Sequence, residues 1–169
     1  RLAYLGKRHS ESSKNRLAGF RAETQAAGIP IDERYIFHVP SGNPAGGRDG
    51  AEYLLSLDPI PSGIMCYNDF LAVGVYNYIQ GIGLRIPQDV SVTGFDNISI
   101  AKYLSPPLTT LHQHKFQLGE GAARMMLEVL SYRHREDRES MPSKKVSLKG
   151  ILKIRESTTP FGSRLPDQI

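Results

Sequence analysis

Gly63-Ile-Met-Cys-Tyr-Asn-Asp69 is the stretch of sequence that decides the fold class. Its first five residues form a continuous apolar run, and such runs are typical of strands that are buried on both faces. Two polar residues end the run, and a helical pattern follows directly, with Leu71, Val75 and Ile79 on one face. A buried strand that leads through a short turn into a helix is the repeating unit of a parallel α/β sheet.

The same unit recurs along the rest of the chain, and this alternation predicts a parallel, doubly wound α/β sheet with helices on both faces. The predicted helices cover 14–27, 48–57, 69–80 and 116–130. The predicted strands cover 1–6, 34–39, 63–67, 90–94, 108–111 and 146–154.

Length and composition limit the class of protein further. A chain of 169 residues, 40% of them hydrophobic, suits one domain or one and a half. No apolar run approaches the ~18 residues of a membrane span, and no secretory signal opens the chain, so we expect a cytoplasmic protein. The single cysteine excludes an internal disulfide. The net charge of +4 comes from interspersed charges of both signs, which favours a solvated surface over a nucleic-acid-binding face.

Polar segments leave the predicted strands at their carboxyl ends, where open α/β sheets bind ligands. Their hydroxyl, amide and carboxylate groups suit a sugar or another small polar ligand, although polar loops also occur there without any ligand. Arg16 is predicted in the first turn of its helix, where a cation opposes the helix dipole, and Asp96 is its natural partner. The pair indicates a ligand site, a structural ion pair, or both.

Other chemistries find no support in the sequence. There is no phosphate-binding loop and no serine in a nucleophile-elbow context. His112 and His114 are two apart, but no acidic or cysteine cluster accompanies them, so we expect no metal site. Cys66 lies inside the apolar run and is predicted to be buried. We therefore expect no catalytic residue, no metal and no cofactor.

The helix predicted over 69–80 has a second apolar side, which indicates either full burial or a subunit interface. Val73 and Gly74 on this side are small enough to let two helices approach closely across a two-fold axis. A patch at 103–104 extends this face. The sequence therefore predicts a homodimer through Phe70, Val73, Gly74, Asn77, Tyr103 and Leu104.

Five segments together resemble the lactose-repressor (LacI/GalR) family of bacterial transcription regulators, in an order and spacing that span most of the chain. They are Asn15-Arg-Leu-Ala-Gly-Phe20, Tyr67-Asn-Asp-Phe-Leu-Ala-Val-Gly74, Gly83-Leu-Arg-Ile-Pro-Gln-Asp-Val-Ser-Val-Thr-Gly-Phe-Asp96, Pro106-Pro-Leu-Thr-Thr110 and Arg155-Glu-Ser-Thr-Thr159.

The resemblance implies a two-lobed effector-binding region that is related to periplasmic sugar-binding proteins. Residues 1–108 and 146–156 would form the C-terminal lobe, and 109–145 a crossover plus a helix of an N-terminal lobe. The tail would be 157–169. Because the chain opens with Arg1 and not with Met, we expect it to be part of a longer protein. Operator DNA would be bound by an N-terminal helix-turn-helix that this chain does not contain.

The resemblance also implies the effector contacts. Relatives place an aromatic side chain near Ser41–Asn43 that stacks on the ligand, and this sequence has none there. An arginine–aspartate pair also occurs in a nucleobase-sensing branch, so the pair alone does not identify a sugar. The contacts carried over are Arg16, Asn68, Asp96 and Gln113, with Asp69 and Asn43 as further candidates.

These observations predict an effector-binding and dimerisation core of a transcriptional repressor that senses a small polar ligand, most simply a sugar, with no membrane partner. The alternative is a periplasmic solute-binding protein, which shares the fold and the site. The apolar second face of the helix at 69–80 favours the regulator. An α/β enzyme is the third possibility, and it lacks an activated nucleophile or a cofactor loop.

Overall fold

Six strands form one sheet in the computed structural model, which describes residues 1–132 and 144–160. The strand order is β2-β1-β3-β4-β5-β6, and β1 pairs in parallel with both β2 and β3, as β3 does with β4. The α/β fold predicted from the alternating pattern is thus confirmed. The strands are β1 (Leu2–Lys7), β2 (Ile36–Val39), β3 (Gly63–Cys66), β4 (Ser91–Asp96), β5 (Thr109–His112) and β6 (Ile151–Lys153).

Four α-helices follow the first three strands and β5: α1 (Glu11–Ala26), α2 (Pro44–Leu55), α3 (Asp69–Gly81) and α4 (Lys115–Tyr132). Because β1 lies between β2 and β3, the winding direction of the sheet reverses at β1. The ends of β1 and β3 therefore flank a topological switch point, where a crevice opens in such sheets.

Polar side chains set the starts of the first three helices. Ser10 caps α1 by accepting a hydrogen bond from the backbone N–H of Ser13, and Asn43 caps α2 in the same way. Both helices consequently begin several residues earlier than the apolar pattern predicted. Arg16 lies in the second turn of α1, so the argument from the helix dipole was wrong, since the dipole acts within the first turn.

The core lies between the sheet and the α2–α3 pair. Its members include Leu5 of β1, Ile64 of β3 and Leu71 of α3, all of them buried. Cys66 is also fully buried, as predicted, and burial raises the pKa of its thiol far above the ordinary value. The thiol is therefore a packing group and not a nucleophile.

Helices α2 and α3 approach each other most closely at Gly47 and Gly74. A Cβ atom at Gly74 would overlap the carbonyl oxygen of Pro44, and one at Gly47 would overlap the carbonyl oxygen of Leu71. The prediction that Gly74 faces a second subunit was therefore wrong. Its missing side chain is needed for a contact inside the chain, because backbone atoms of α2 occupy that space.

The last described segment differs from its predicted form. The strand predicted over 146–154 is limited to Ile151–Lys153, which is the edge strand beside β5, and 146–150 are exposed and outside any strand. An alternating pattern by itself does not form a strand, because the backbone also needs a neighbouring strand to bond with. Ser157 belongs to the range that we assigned to a tail. It is fully buried, and its hydroxyl donates to the carbonyl of Val92 and accepts the N–H of Thr109. Residues 161–169 lie outside the described residues.

The described residues divide into two compact units, 1–111 with 152–160, and 112–132 with 144–151. The second unit contains α4, which exposes several large apolar side chains: Phe116, Leu118, Met126, Leu127, Val129 and Leu130. Across the described parts of both units, no helix is at once long and apolar enough to cross a membrane.

Candidate ligand-binding site

Arg16 and Asp96 meet at the carboxyl-terminal edge of the sheet. Arg16 comes from the helix that follows β1, and Asp96 is the last residue of β4. The guanidinium Nη2 lies 3.6 Å from a carboxylate oxygen of Asp96, with the two side chains 16% and 26% exposed. The pair is thus partly withdrawn from water, and a carboxylate and a guanidinium are both within reach of a bound ligand.

Two aromatic rings hold the Arg16 side chain. Its guanidinium carbon lies 3.6 Å from the centre of the Phe95 ring and 4.6 Å from that of Tyr67. Arg16 also donates a hydrogen bond to the backbone carbonyl of Tyr67. Cation–π contacts that are partly desolvated contribute about 1–2 kcal/mol each. A guanidinium has five N–H donors, so Arg16 keeps donors for a ligand beside the hydrogen bond to Tyr67.

The Tyr67 hydroxyl joins two serine hydroxyls at the start of α1. It lies 3.4 Å from the oxygen of Ser10 and 3.1 Å from that of Ser12. These hydrogen bonds, with the positive charge of Arg16, lower the pKa of Tyr67. The residue is therefore held at both ends, by the serines at its hydroxyl and by the hydrogen bond that its backbone N–H donates to the carbonyl of Leu5.

The sequence interpretation missed both aromatic residues. Tyr67 directly precedes Asn68, and Phe95 directly precedes Asp96, so each lies at a strand end that was already singled out. The rule that ligands bind beyond strand ends would have included them. Tyr67 was left out because it was predicted to belong to the buried strand 63–67, and Phe95 because only polar residues beyond the strand ends were considered as ligand contacts.

Asn68 and Asn43 line a cleft of about 400 Å³, and the Tyr67 ring forms part of its wall. Asn68 caps α3 through Oδ1, and its Nδ2 donates to the carbonyl of Gly42, which ties two loops together. Asn43 caps α2. Each amide keeps further hydrogen-bonding capacity, because an amide group offers two donors and two acceptor positions. The cleft is also lined by Lys7, Ser41, Gly42, Pro44, Tyr67 and Phe70.

The turn after β4 has an unusual backbone. Asp96 and Asn97 have φ angles of 108° and 47°, both in the left-handed range that few residues other than glycine adopt. Each such residue costs on the order of 1–3 kcal/mol, and such residues cluster at functional sites. The turn places the Asp96 carboxylate beside Arg16.

Asp69 lies beneath this turn and not in the cleft. It is 1% exposed, and its two carboxylate oxygens accept hydrogen bonds from the Thr110 hydroxyl at 2.6 Å and from the N–H of Ile98 at 2.8 Å. Burial raises the pKa of Asp69, and the nearby charge of Asp96 adds to the effect, while the two hydrogen bonds oppose it. Asp69 is thus placed to support the site and is out of reach of a ligand in the cleft.

The raised pKa of Asp69 gives a pH prediction. The Asp69 carboxyl binds its proton more tightly in the folded state than in the unfolded chain, where its pKa is near the ordinary value of about 3.9. Its stabilising contribution is therefore complete below that value and is lost as the pH rises through the folded-state pKa. We expect the unfolding free energy of the wild type, minus that of Asp69→Asn, to fall as the pH rises from about 3 to 7. Urea unfolding at each pH measures this difference.

Asp32 provides a control of opposite sign. Hydrogen bonds from Arg34 lower the pKa of Asp32, so its contribution is present above the unfolded pKa and is lost as the pH falls. The corresponding difference for Asp32→Asn should rise with pH. Equal slopes for the two variants would contradict the assignment.

One predicted effector contact, Gln113, and the two histidines discussed above, His112 and His114, lie in the second unit. Gln113 is half-buried there, so its role stays a prediction. The rings of His112 and His114 meet edge to face with centres 5.3 Å apart. Within the described ranges, no group of three or more His, Cys, Asp or Glu side chains is arranged to hold a metal ion.

Another groove, of about 370 Å³, lies at the opposite ends of the strands, near Leu2, Gly63 and Ser91. Its lining is mostly apolar, with Phe20 of α1 and Met65 of β3 on its walls. Because ligands of open α/β sheets bind beyond the carboxyl ends of the strands, the cleft lined by Tyr67 and Asn68 is the better candidate.

The strand order and the polar cleft at the switch point are those of an α/β domain of the ligand-binding class. Comparison with known families agrees, since the model of the periplasmic binding protein-like domain matches residues 1–158. The chain belongs to this family and, within it, is an effector-binding region of a LacI/GalR transcription regulator.

The relatives are consistent with this placement. The HTH-type transcriptional repressor PurR of Vibrio parahaemolyticus is 37% identical over 127 residues, which cover 74% of this chain and 37% of the repressor. A putative LacI transcriptional regulator from Bacillus cereus subsp. cytotoxis has a TM-score of 0.86 at 26% identity, over 94% of this chain and 54% of that one. A LacI family regulator from Enterococcus faecalis, solved with bound ribose, has a TM-score of 0.80 at 27% identity, over 95% and 55%.

The relatives named are transcriptional regulators and not enzymes, and a transport protein is not favoured. The chain spans less than half of the length of the Vibrio repressor.

Proposed function

We propose that this chain senses a small polar effector for a transcriptional repressor, and that Arg16, Asn68 and Asp96 hold the effector. The observation that carries the proposal is the Arg16–Asp96 pair. Arg16 contacts Tyr67, which lines the cleft at the switch point, and Asp96 belongs to the strained turn. A purely structural ion pair would need neither the cleft nor the strain.

The chemistry of the pair suits a ligand with vicinal donors and acceptors. A carboxylate accepts two hydrogen bonds from neighbouring hydroxyls, and a guanidinium donates in its plane to oxygen acceptors. A sugar satisfies both groups, and the ribose bound by the Enterococcus faecalis relative supports this class. The planar edge of a nucleobase also offers both kinds of group and is the second candidate. Tyr67 is placed to contact an apolar sugar face or a base.

Of the other predicted effector contacts, two stay candidates and one is left out. Asn43, at the cleft, stays a candidate contact. Gln113, in the second unit, stays a prediction that rests on the family resemblance. Asp69 is left out of the contact set because it is buried under the turn.

The chain itself can be tested with D-ribose and hypoxanthine as probes. We expect one of them to shift the backbone amide resonances of Asn68 and Asp96 in an NMR titration, with a Kd of roughly millimolar or weaker, about −4 kcal/mol. Weak binding is expected because the chain spans less than half of the length of the Vibrio repressor, and the remainder of such a protein would supply further contacts. Shifts confined to the groove near Gly63, or no saturable shift with either probe, would contradict the proposed site.

The regulatory output would follow from the effector. In the longer cytoplasmic protein, a ligand that binds one orientation of two lobes better than another shifts the population toward it, and this shift would alter operator binding. Neither a metal nor a cofactor is part of the proposal.

We also propose that the chain forms a homodimer through the exposed side of α3. Phe70 is 50% exposed and Tyr103 is 74% exposed, and Asn77 continues the exposed stripe of α3. Val73 lies between them and is half-buried. An isologous contact would cover these apolar groups, and a stable one should bury more than ~1,000 Å².

Val73→Asp is expected to give a monomer, because it places a carboxylate in an apolar interface close to its own symmetry copy. Sedimentation velocity measures the change. Ile29→Asp is the matched control, since Ile29 is 42% exposed and lies outside the proposed interface, and this variant should stay dimeric. A wild-type chain that remains monomeric at high concentration would refute the dimer.

A further inference from the structure

We propose that Asp69 is a positioning residue of the effector site, which holds the turn at 95–98 so that Phe95 and Asp96 face Arg16. The inference rests on the proposed function of the Arg16–Asp96 pair and adds a residue that never touches the ligand.

The carboxylate of Asp69 bonds to the backbone on both sides of the strained residues. The N–H of Ile98, after the turn, donates to Oδ2 at 2.8 Å. The N–H of Phe95, before it, is also hydrogen-bonded to this carboxylate. One rigid acceptor group thus fixes the two ends of a turn whose central residues, Asp96 and Asn97, both have positive φ. Such strain persists only where the surrounding structure over-determines it.

Thr110 extends the support from β5. Its hydroxyl donates to Oδ1 of Asp69 at 2.6 Å and accepts the N–H of Asn97 at 3.3 Å. The hydroxyl is fully buried and uses its donor and an acceptor position at once. Arg155 adds a third support, since its guanidinium donates to the side-chain oxygen of Asn97 at 2.8 Å.

Packing leaves the carboxylate little freedom. A Cβ at Gly94 would lie 3.2 Å from the carboxylate carbon of Asp69 and closer still to one of its oxygens. The Asp69 side chain is therefore pressed against the backbone of β4, directly before Phe95. A glycine at this position lets the carboxylate reach the turn.

A simpler role for Asp69 is the stabilisation of α3, because an acidic residue in the first turn of a helix interacts favourably with its dipole. That role does not require burial, and solvent-exposed carboxylates fulfil it. The two roles differ in their effect on residues outside α3. Only a positioning role predicts a change at Arg16, which lies on α1 and receives its contacts from Phe95, Asp96 and Tyr67.

The experiment measures the side-chain NMR resonance of Arg16 in the unliganded chain. In the wild type, the Nε–H resonance of Arg16 should be displaced by the ring current of Phe95 and show nuclear Overhauser contacts to that ring. Thr110→Val keeps the shape of the side chain and removes the hydroxyl, and Asp69→Asn replaces one acceptor oxygen by a donor. Both variants should lose the displacement and the contacts.

Two controls separate positioning from general destabilisation. Thr110→Ser retains the hydroxyl and should restore the wild-type Arg16 resonance. Ile79→Val removes a buried methyl group from the same helix and should weaken the fold while leaving the resonance in place. An unchanged Arg16 resonance in both Asp69→Asn and Thr110→Val would overturn the proposal.

A measurement on the wild type covers the case in which these variants do not fold. Hydrogen exchange of the Asn97 and Ile98 amides should be strongly protected, because both N–H groups are bonded to buried acceptors. Exchange as fast as that of exposed loop amides would overturn the proposal. Neither experiment uses an effector, so a failure of the ribose and hypoxanthine titrations would leave this result standing on its own.

Discussion

Gly74→Ala is expected to lower the unfolding free energy by about 3 kcal/mol or more, beyond the usual 1–3 kcal/mol of overpacking. The added methyl group would overlap the carbonyl oxygen of Pro44 and lie 2.7 Å from the backbone nitrogen of Arg48. Both atoms belong to the backbone of a helix, which cannot rotate away as a side chain can. The two helices would have to separate and open the core between them. Urea unfolding followed by circular dichroism measures the effect.

Gly19→Ala is the matched control for this variant. Gly19 also lies inside a helix, and a Cβ there would meet nothing within 4 Å. We expect this substitution to stabilise the chain by about 0.5–1 kcal/mol, since alanine favours the helix. A Gly74→Ala variant as stable as the wild type would show that α2 and α3 do not pack as closely as described.

Asp96→Ala is expected to weaken effector binding about thirtyfold, or about 2 kcal/mol, in the proposed site. The carboxylate would be the acceptor for two ligand hydrogen bonds and the partner of Arg16. The measurement is the NMR titration with whichever of D-ribose and hypoxanthine binds the wild type.

Two further variants make the result specific. Alanine at a residue with φ of 108° adds backbone strain, so Asp96→Asn is tested beside it, since asparagine tolerates positive φ and retains one acceptor. We expect the effector affinity of Asp96→Asn to lie between that of the wild type and that of Asp96→Ala. Asp49→Ala, at an exposed position of α2, should bind as the wild type does. Unchanged affinity in both Asp96 variants would remove Asp96 from the site.

The three predictions on α3 and its surroundings involve three different sides of one helix. Gly74 faces α2, Val73 lies at the proposed dimer surface, and Asp69 at the first turn supports the site. The same short stretch, 69–80, therefore carries folding, assembly and positioning roles. The effect of a substitution at 69, 73 or 74 should therefore be interpreted from the side of α3 on which that residue lies.

The sequence predicted where in the fold the proposed site lies better than it predicted which residues belong to it. The rule on strand ends identified Arg16 and Asp96, and the structure places their side chains 3.6 Å apart. It also selected Asp69, which follows a strand end as directly as Asn68 does. Their positions in the sequence could not distinguish these two residues, because neighbouring side chains point in different directions. Asn68, the cap of α3, borders the cleft, whereas Asp69, the first residue of α3, is buried against β4.

The sequence by itself determined the order of strands and helices, the buried strand 63–66 and the segments that meet at the switch point, because these depend on periodicity and on capping residues close along the chain. The tertiary structure alone decided that Gly74 serves an internal helix crossing and that Arg16 rests on Phe95 and Tyr67. Those contacts join residues that are far apart in the sequence, as between Arg16 and Tyr67, which are separated by 51 positions. Such pairings arise only when the packed sheet fixes the distances between its elements, and no local pattern encodes them.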